Sequence, residues 1–337
     1  MRLCITGGRI PFPDSSRYVL ALCALAVLAA CGGQYQAPLS RPVFSGVAGG
    51  LVNTTGVRPS AAGVRSSSCA DAARSWMSPE AAKTALLYVA DLDCNVVNVF
   101  SYPDDKPMGK LTDDLASPDG ICVDAKQNVW IVNNAGAVDV AVEYKHGGKK
   151  HVAAVQDPGL GAHIGCSVDP ATGNLAVTTY GLGSSGGGLV AVYVHAKGTP
   201  KHYTDSKIPH FNFCGYDPKG NLYADGTDAA QSQFFFAELS KGANAFKNIT
   251  LKGGLIYYPG QVQWDGKYVA VGDQSVGQAD VSAINQTTGV GGKIVHVTPI
   301  DDPTDGSAED IVQFWIDGKT VVGPNLDGSD VGFYKYP

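Results

Sequence analysis

Ile121-Cys-Val-Asp124, followed by Asn128-Val-Trp-Ile-Val-Asn-Asn134, reads as an apolar strand ending in Asp, a short turn and a second apolar strand. The same phrase returns as Cys166-Ser-Val-Asp169 with Gly173-Asn-Leu-Ala-Val-Thr-Thr-Tyr180, and as Cys214-Gly-Tyr-Asp217 with Gly220-Asn-Leu-Tyr-Ala-Asp225. It returns again as Val262-Gln-Trp-Asp265 with Gly266-Lys-Tyr-Val-Ala-Val-Gly-Asp273, and as Phe314-Trp-Ile-Asp317 with Gly318-Lys-Thr-Val-Val-Gly323. Successive Asp residues stand 45, 48, 48 and 52 residues apart. Such a period, with several strands per unit, is the signature of a β-propeller. The local chemistry agrees: an Asp carboxylate bonds backbone N–H groups two residues on, and Gly or Asn tolerates the positive φ of a tight hairpin.

Outward from these hairpins, most units add a third strand: Val96–Tyr102, Val140–Tyr144, Leu189–Val194, Phe234–Leu239 and Val331–Tyr336. Short outer strands are expected at His151–Val155, Asn248–Leu251 and Lys293–Val297. With a first unit built on Leu86–Ala90, the reading is an all-β propeller of six blades, each a four-stranded antiparallel sheet, over residues 79–337; five or seven blades are the alternatives. The last unit ends on its third strand, so the ring should close with elements from both ends, and residues near Trp76 are expected to supply the innermost strand of the first blade.

The units resemble those of the NHL and regucalcin/gluconolactonase propeller families, through the pattern of apolar strand, Asp, short turn and a strand such as Leu87-Tyr-Val-Ala-Asp91. The resemblance covers roughly residues 84–337. It implies a central channel in which the lactonases hold a divalent cation on a carboxylate and amide oxygens. Asp119, Asn212 and Asp310 carry suitable hard oxygens for Ca²⁺ or a similar ion, but no Glu occupies the matching early strand. The fold itself is compatible with many roles.

Before the repeat, Tyr18–Ala30 is an uncharged apolar run behind Arg17, too short for a permanent membrane span and suited to a signal peptide. Leu28-Ala-Ala-Cys31 at its end resembles a bacterial lipobox. That resemblance implies cleavage of residues 1–30, lipidation (palmitate among the acyl chains) at Cys31, and export to the cell envelope, at the outer membrane or its periplasmic side. Residues 31–78, rich in Gly, Ser and Ala, then form a flexible tether. The chain carries a net charge of −6, with 17% charged residues and no basic stripe, which argues against nucleic acid. It is expected to be a monomer.

Within the repeat, Cys122, Cys166 and Cys214 fall on three successive innermost strands. Cys122 lies two residues before its Asp and the others three, so Cys122 faces the opposite side of its strand. Buried free thiols as apolar filler are the first expectation; a Cys122–Cys166 disulfide across neighbouring blades is the alternative. At the starts of the innermost strands, which line the channel mouth, stand Asp119, His163, Asn212, Gln261 and Asp310, with His210 and Glu309 nearby. They are the candidate ligand-binding residues, or else they solvate the channel and cap strand ends. No nucleophile elbow, phosphate loop or paired-metal His motif is present. The expected function is a non-catalytic binding or scaffold propeller for a protein or glycan, without a cofactor. The alternative is a metal-dependent gluconolactonase- or streptogramin-lyase-like enzyme using the channel.

Overall fold

In a computed structural model of the chain, residues 3–6, 74–92, 94–134, 139–157, 161–181, 187–275, 278–287, 291–300, 311–325 and 330–337 are described. They form a six-bladed β-propeller on a four-stranded antiparallel plan. Two short 3₁₀ turns, Ala81–Lys83 and Val194–Ala196, are the helical elements among the described residues.

From the channel outward, blade II runs Pro118–Val123, Val129–Asn133, Asp139–Tyr144, His151–Gln156, and blade III runs His163–Val168, Leu175–Thr179, Leu189–Tyr193, Lys201–Tyr203. Blade IV runs His210–Tyr216, Leu222–Thr227, Phe234–Leu239, Lys247–Asn248. Blade V runs Pro259–Trp264, Val269–Ser275, Gln278–Thr287, Gly291–Pro299, and blade VI holds Trp315–Asp317, Thr320–Asn325 and Asp330–Lys335. The expected outer strand at Asn248–Leu251 is divided. Lys247–Asn248 closes blade IV, and Leu251–Lys252 crosses to the edge of blade V, parallel to Gly291–Pro299.

The repeat's Asp residues act as read. Asp124 Oδ1 accepts the N–H groups of Lys126 and Asn128, both at 2.8 Å. Asp217 Oδ1 accepts those of Lys219 and Asn221, both at 2.9 Å. Each hairpin is thereby fixed from within, independently of its neighbours.

Blade I differs from the expectation. Its strands Leu86–Asp91, Val96–Ser101 and Pro107–Leu111 are antiparallel, but Trp76–Met77 pairs with Pro107–Leu111 on the outer edge rather than at the channel. The cause is local. Gly109 opposite Met77 lacks a side chain, and a Cβ there would lie 2.4 Å from Met77 Sδ. Trp76, 46% exposed, suits an edge and not a channel wall. The outer strand thus begins three residues before the expected domain start at 79. The position beside Leu86–Asp91 holds Leu3–Thr6, in parallel register from Leu3 opposite Leu87 to Thr6 opposite Ala90. That strand lies within the expected leader.

The core is divided into six slabs, one in each joint between blades. Second strands are buried on both faces and so read as continuous apolar runs. In Val129–Asn133, Val129 and Ile131 enter the joint with blade I, while Trp130 and Val132 enter the joint with blade III. This is the strand period of two at work on two cores. The remaining slabs follow around the ring. The last one packs Leu87 and Val89 of blade I on Val322, Val331 and Phe333 of blade VI.

Candidate functional site

The inner strands of blades II–V begin at one face of the ring, and each carries a register shift near its start. Such bulges re-aim side chains at a rim. The sequence-chosen residues enter the bulge at different points. His163 pairs with Thr179 before it, Asp119 and Asn212 follow the paired Pro118 and Phe211 by one residue, and Gln261 follows Pro259 by two. They share the mouth but occupy different positions of the strand, so they do not form one even ring of ligands. Asp310 and Glu309 lie outside the described residues, as does Cys31.

Asp119 joins two blades. Its Oδ2 accepts Nδ2–H of Asn134 at 2.8 Å within blade II, and its Oδ1 accepts Nε2–H of Gln313 at 3.0 Å from blade VI. Burial raises its pKa to about 7, against the lowering effect of these two amide bonds. His163 is buried, with Nδ1 3.0 Å from Thr179 Oγ1. Burial lowers its pKa to about 4, which makes it a neutral imidazole at neutral pH. Asn212 is buried, its backbone carbonyl accepts the Thr178 hydroxyl at 2.6 Å, and its Oδ1 has no protein partner. Gln261 is half-buried and donates its backbone N–H to Val312 O at 3.1 Å. His210 is buried against Tyr180 of blade III, ring centroids 4.4 Å apart.

Other residues at the channel side were not singled out by the sequence. Thr178 accepts Gly165 N–H at 2.8 Å and reaches blade IV through Asn212. Tyr216 N–H donates to Ser167 Oγ at 3.0 Å, again from blade IV to blade III. The Gln263 amide pairs both ways with the Ile316 backbone, Oε1 accepting its N–H at 2.9 Å and Nε2–H donating to its carbonyl at 3.2 Å. Asp225, fully buried, accepts Phe213 N–H at 2.8 Å; burial holds its carboxyl well above the usual range, and the Gly260 N–H of blade V also bonds to it. These contacts join strands far apart in sequence, so no local pattern marks them.

Cys122 and Cys166 are bonded to one another, with Cα atoms 5.7 Å apart. The bridge ties the inner strands of blades II and III, in place of the free thiols expected first. Cys94 is also disulfide-bonded, and Cys214 is a buried free thiol. Among the described residues no group of three or more His, Cys, Asp or Glu is arranged to hold a metal ion.

No family model and no curated protein matches the sequence. Solved structures share its fold. A gluconolactonase-like protein aligns over 78% of this chain and 88% of its own, with a TM-score of 0.55 and 11% identity. Virginiamycin B lyase from Staphylococcus aureus, in a complex with quinupristin, aligns over 78% and 80%, with a TM-score of 0.51 and 8% identity. Hydrazine synthase of Kuenenia stuttgartiensis aligns over 77% and 75%, with a TM-score of 0.56 and 15% identity. At these identities the likeness is one of fold: the chain is a β-propeller of the kind found in gluconolactonase-like and virginiamycin B lyase proteins.

Proposed function

We propose that this chain is an exported, lipid-anchored protein of the cell envelope whose propeller is a non-catalytic binding or scaffold module for a protein or glycan, taken at the channel mouth. One observation carries the reading: Asp119 and His163, the side chains at the mouth that most resemble an enzyme's set, already have partners within the protein. Asp119 is held between the Asn134 and Gln313 amides, and His163 rests on Thr179. A carboxylate that already accepts an N–H on each oxygen gives up hydrogen bonds to bind a cation, and a neutral buried imidazole is a poor proton donor at neutral pH.

The second reading, a metal-dependent lactonase- or lyase-like enzyme, draws on the shared fold with gluconolactonase-like and virginiamycin B lyase propellers. Metal analysis of the purified protein separates the two. Stoichiometric Ca²⁺, Mg²⁺ or Zn²⁺ that is lost in Asp119→Ala and Asp310→Ala overturns the scaffold reading. No bound metal, with stability unchanged in chelator, overturns the enzyme reading.

The anchor has a separate test. Cys31→Ala should abolish lipid labelling and leave the precursor uncut; normal labelling refutes lipidation. Cleavage before Cys31 also removes Leu3–Thr6. Blade I of the processed protein then keeps Leu86–Asp91, Val96–Ser101, Pro107–Leu111 and Trp76–Met77. The intact mass of the protein isolated from membranes reports which form exists.

A further inference from the structure

Each inner strand runs from the mouth to the turn that leads into the second strand, so these turns lie on the opposite face. On that face, between blades V and VI, is a cavity of about 200 Å³. Asp265, Lys267 and Tyr268 of the blade V turn form one wall, with His296 beside them on the outer strand. Gly318, Tyr336 and Pro337 of blade VI form the other.

Among the described residues of the lining, the one acidic side chain is turned into the wall. Asp265 Oδ1 accepts the backbone N–H groups of Lys267 and Tyr268, both at 2.6 Å, and its Oδ2 accepts the Tyr336 hydroxyl at 2.8 Å. The nitrogen-bearing side chains of the lining, Lys267 and His296, are both exposed. The Lys267 ammonium stands 4.8 Å from the centre of the Tyr268 ring, and the His296 ring meets the same tyrosine edge-on at 6.2 Å. Among the described residues neither forms an ion pair with a carboxylate. Lys267, which bonds to Tyr268 and is attracted by Asp265 without forming an ion pair with it among the described residues, and His296 thus meet at one aromatic ring in the lining of a concave site.

We propose that this cavity binds a small organic anion of about one ring, its carboxylate held by Lys267 and His296 and its ring set against Tyr268. The size follows from the volume: sites for drug-sized molecules enclose about 300–1,000 Å³, and this one is smaller. The charge follows from the paired donors, since an ammonium and an imidazole N–H bond most strongly to an ionised acceptor. The site lies away from the channel mouth and does not depend on what the mouth binds.

The test titrates the ¹⁵N-labelled protein with D-glucuronate, benzoate and neutral D-glucose, each to about 10 mM. The expected result is a saturable shift of the Lys267, Tyr268 and His296 amides with at least one of the two acids, and none with glucose. The tighter of the two acids tells a sugar acid from an aromatic one. Lys267→Met should weaken binding at least about ten-fold and leave the melting temperature unchanged, because Lys267 is exposed. His296→Gln, which keeps a donor, should weaken it less. No saturable shift with either acid, an equal response to glucose, or unaltered affinity in Lys267→Met overturns the proposal.

Discussion

Thr178 of blade III and Asp225 of blade IV solve one problem with different chemistry. Each stands on a second strand beside the bulge of its own inner strand and must bond the backbone of the next blade. The Thr178 hydroxyl accepts from Gly165 N–H and donates to Asn212 O. The Asp225 carboxyl accepts from Phe213 N–H and is bonded by Gly260 N–H. Asp225→Ala should therefore cost about 2–3 kcal/mol, since buried N–H groups lose their acceptor. Asp225→Thr, the neighbouring blade's solution, should cost about 1 kcal/mol or less; urea denaturation of the two variants checks this.

Asp119 adds a pH dependence. Its folded pKa, about 7, exceeds the ordinary 3.8, so folding favours its protonated form. The stability it contributes is complete below about pH 4 and is lost as pH rises through 7. Between pH 5 and 8 that loss is on the order of 2 kcal/mol. Asp119→Asn, neutral throughout, should flatten the pH dependence of the urea midpoint over this range. An unchanged slope would show that the carboxylate is already ionised at pH 5.

At the scale of elements, the hairpins were legible because their determinants are local. An Asp that caps a turn two residues away leaves its mark every 45–52 residues. The placement of elements was less legible. Nothing near Trp76 states that its strand pairs with Pro107–Leu111; that preference rests on Gly109, over thirty residues later. The mouth residues were chosen as polar residues near the strand starts, and Asp119, His163, Asn212 and Gln261 stand five, six, five and four places before their Asp. The residue paired just before each bulge stands six places before it in all four blades, so only His163 falls on that common position.

Inner-strand glycines belong to the same class of hidden signal. A Cβ on Gly120 would lie 2.4 Å from Ile164 O, on the inner strand of the next blade. This glycine serves close approach, whereas Gly173, at φ +72 with open space around it, serves a turn. Gly120→Ala should cost about 3 kcal/mol through forced separation of blades II and III. Gly173→Ala should cost about 1 kcal/mol, from backbone strain alone. Comparable losses in thermal melts of both variants would show that the inner strands can part without penalty.

The whole molecule is a ring of six cores, and its stability is that of its weakest joint as much as of their sum. Blades II and III are joined covalently by Cys122–Cys166, across 44 residues of chain. Blades III to IV and V to VI are tied by Thr178, Ser167 and Gln263. Blade VI, with three strands among the described residues, meets blade I through Leu87, Val89, Val322, Val331 and Phe333, with Tyr102 stacked on Phe333 at 6.2 Å. Gln313 then reaches past blade I to Asp119 of blade II, 194 residues away in sequence. Among the described residues the contacts named at this joint are apolar, with the Gln313 amide reaching beyond it to blade II, so it should open first. Phe333→Ala removes the one aromatic ring among the buried residues of that slab and should cost about 3–5 kcal/mol. Hydrogen exchange should then accelerate at Leu86–Asp91 and Thr320–Asn325 while the blade II and III amides stay protected. Cys122→Ala should act otherwise, lowering global stability by about 3–4 kcal/mol through the unfolded chain and leaving the order of opening unchanged. If both variants accelerate exchange uniformly around the ring, the blades unfold as one unit and the closing joint is not the weak point.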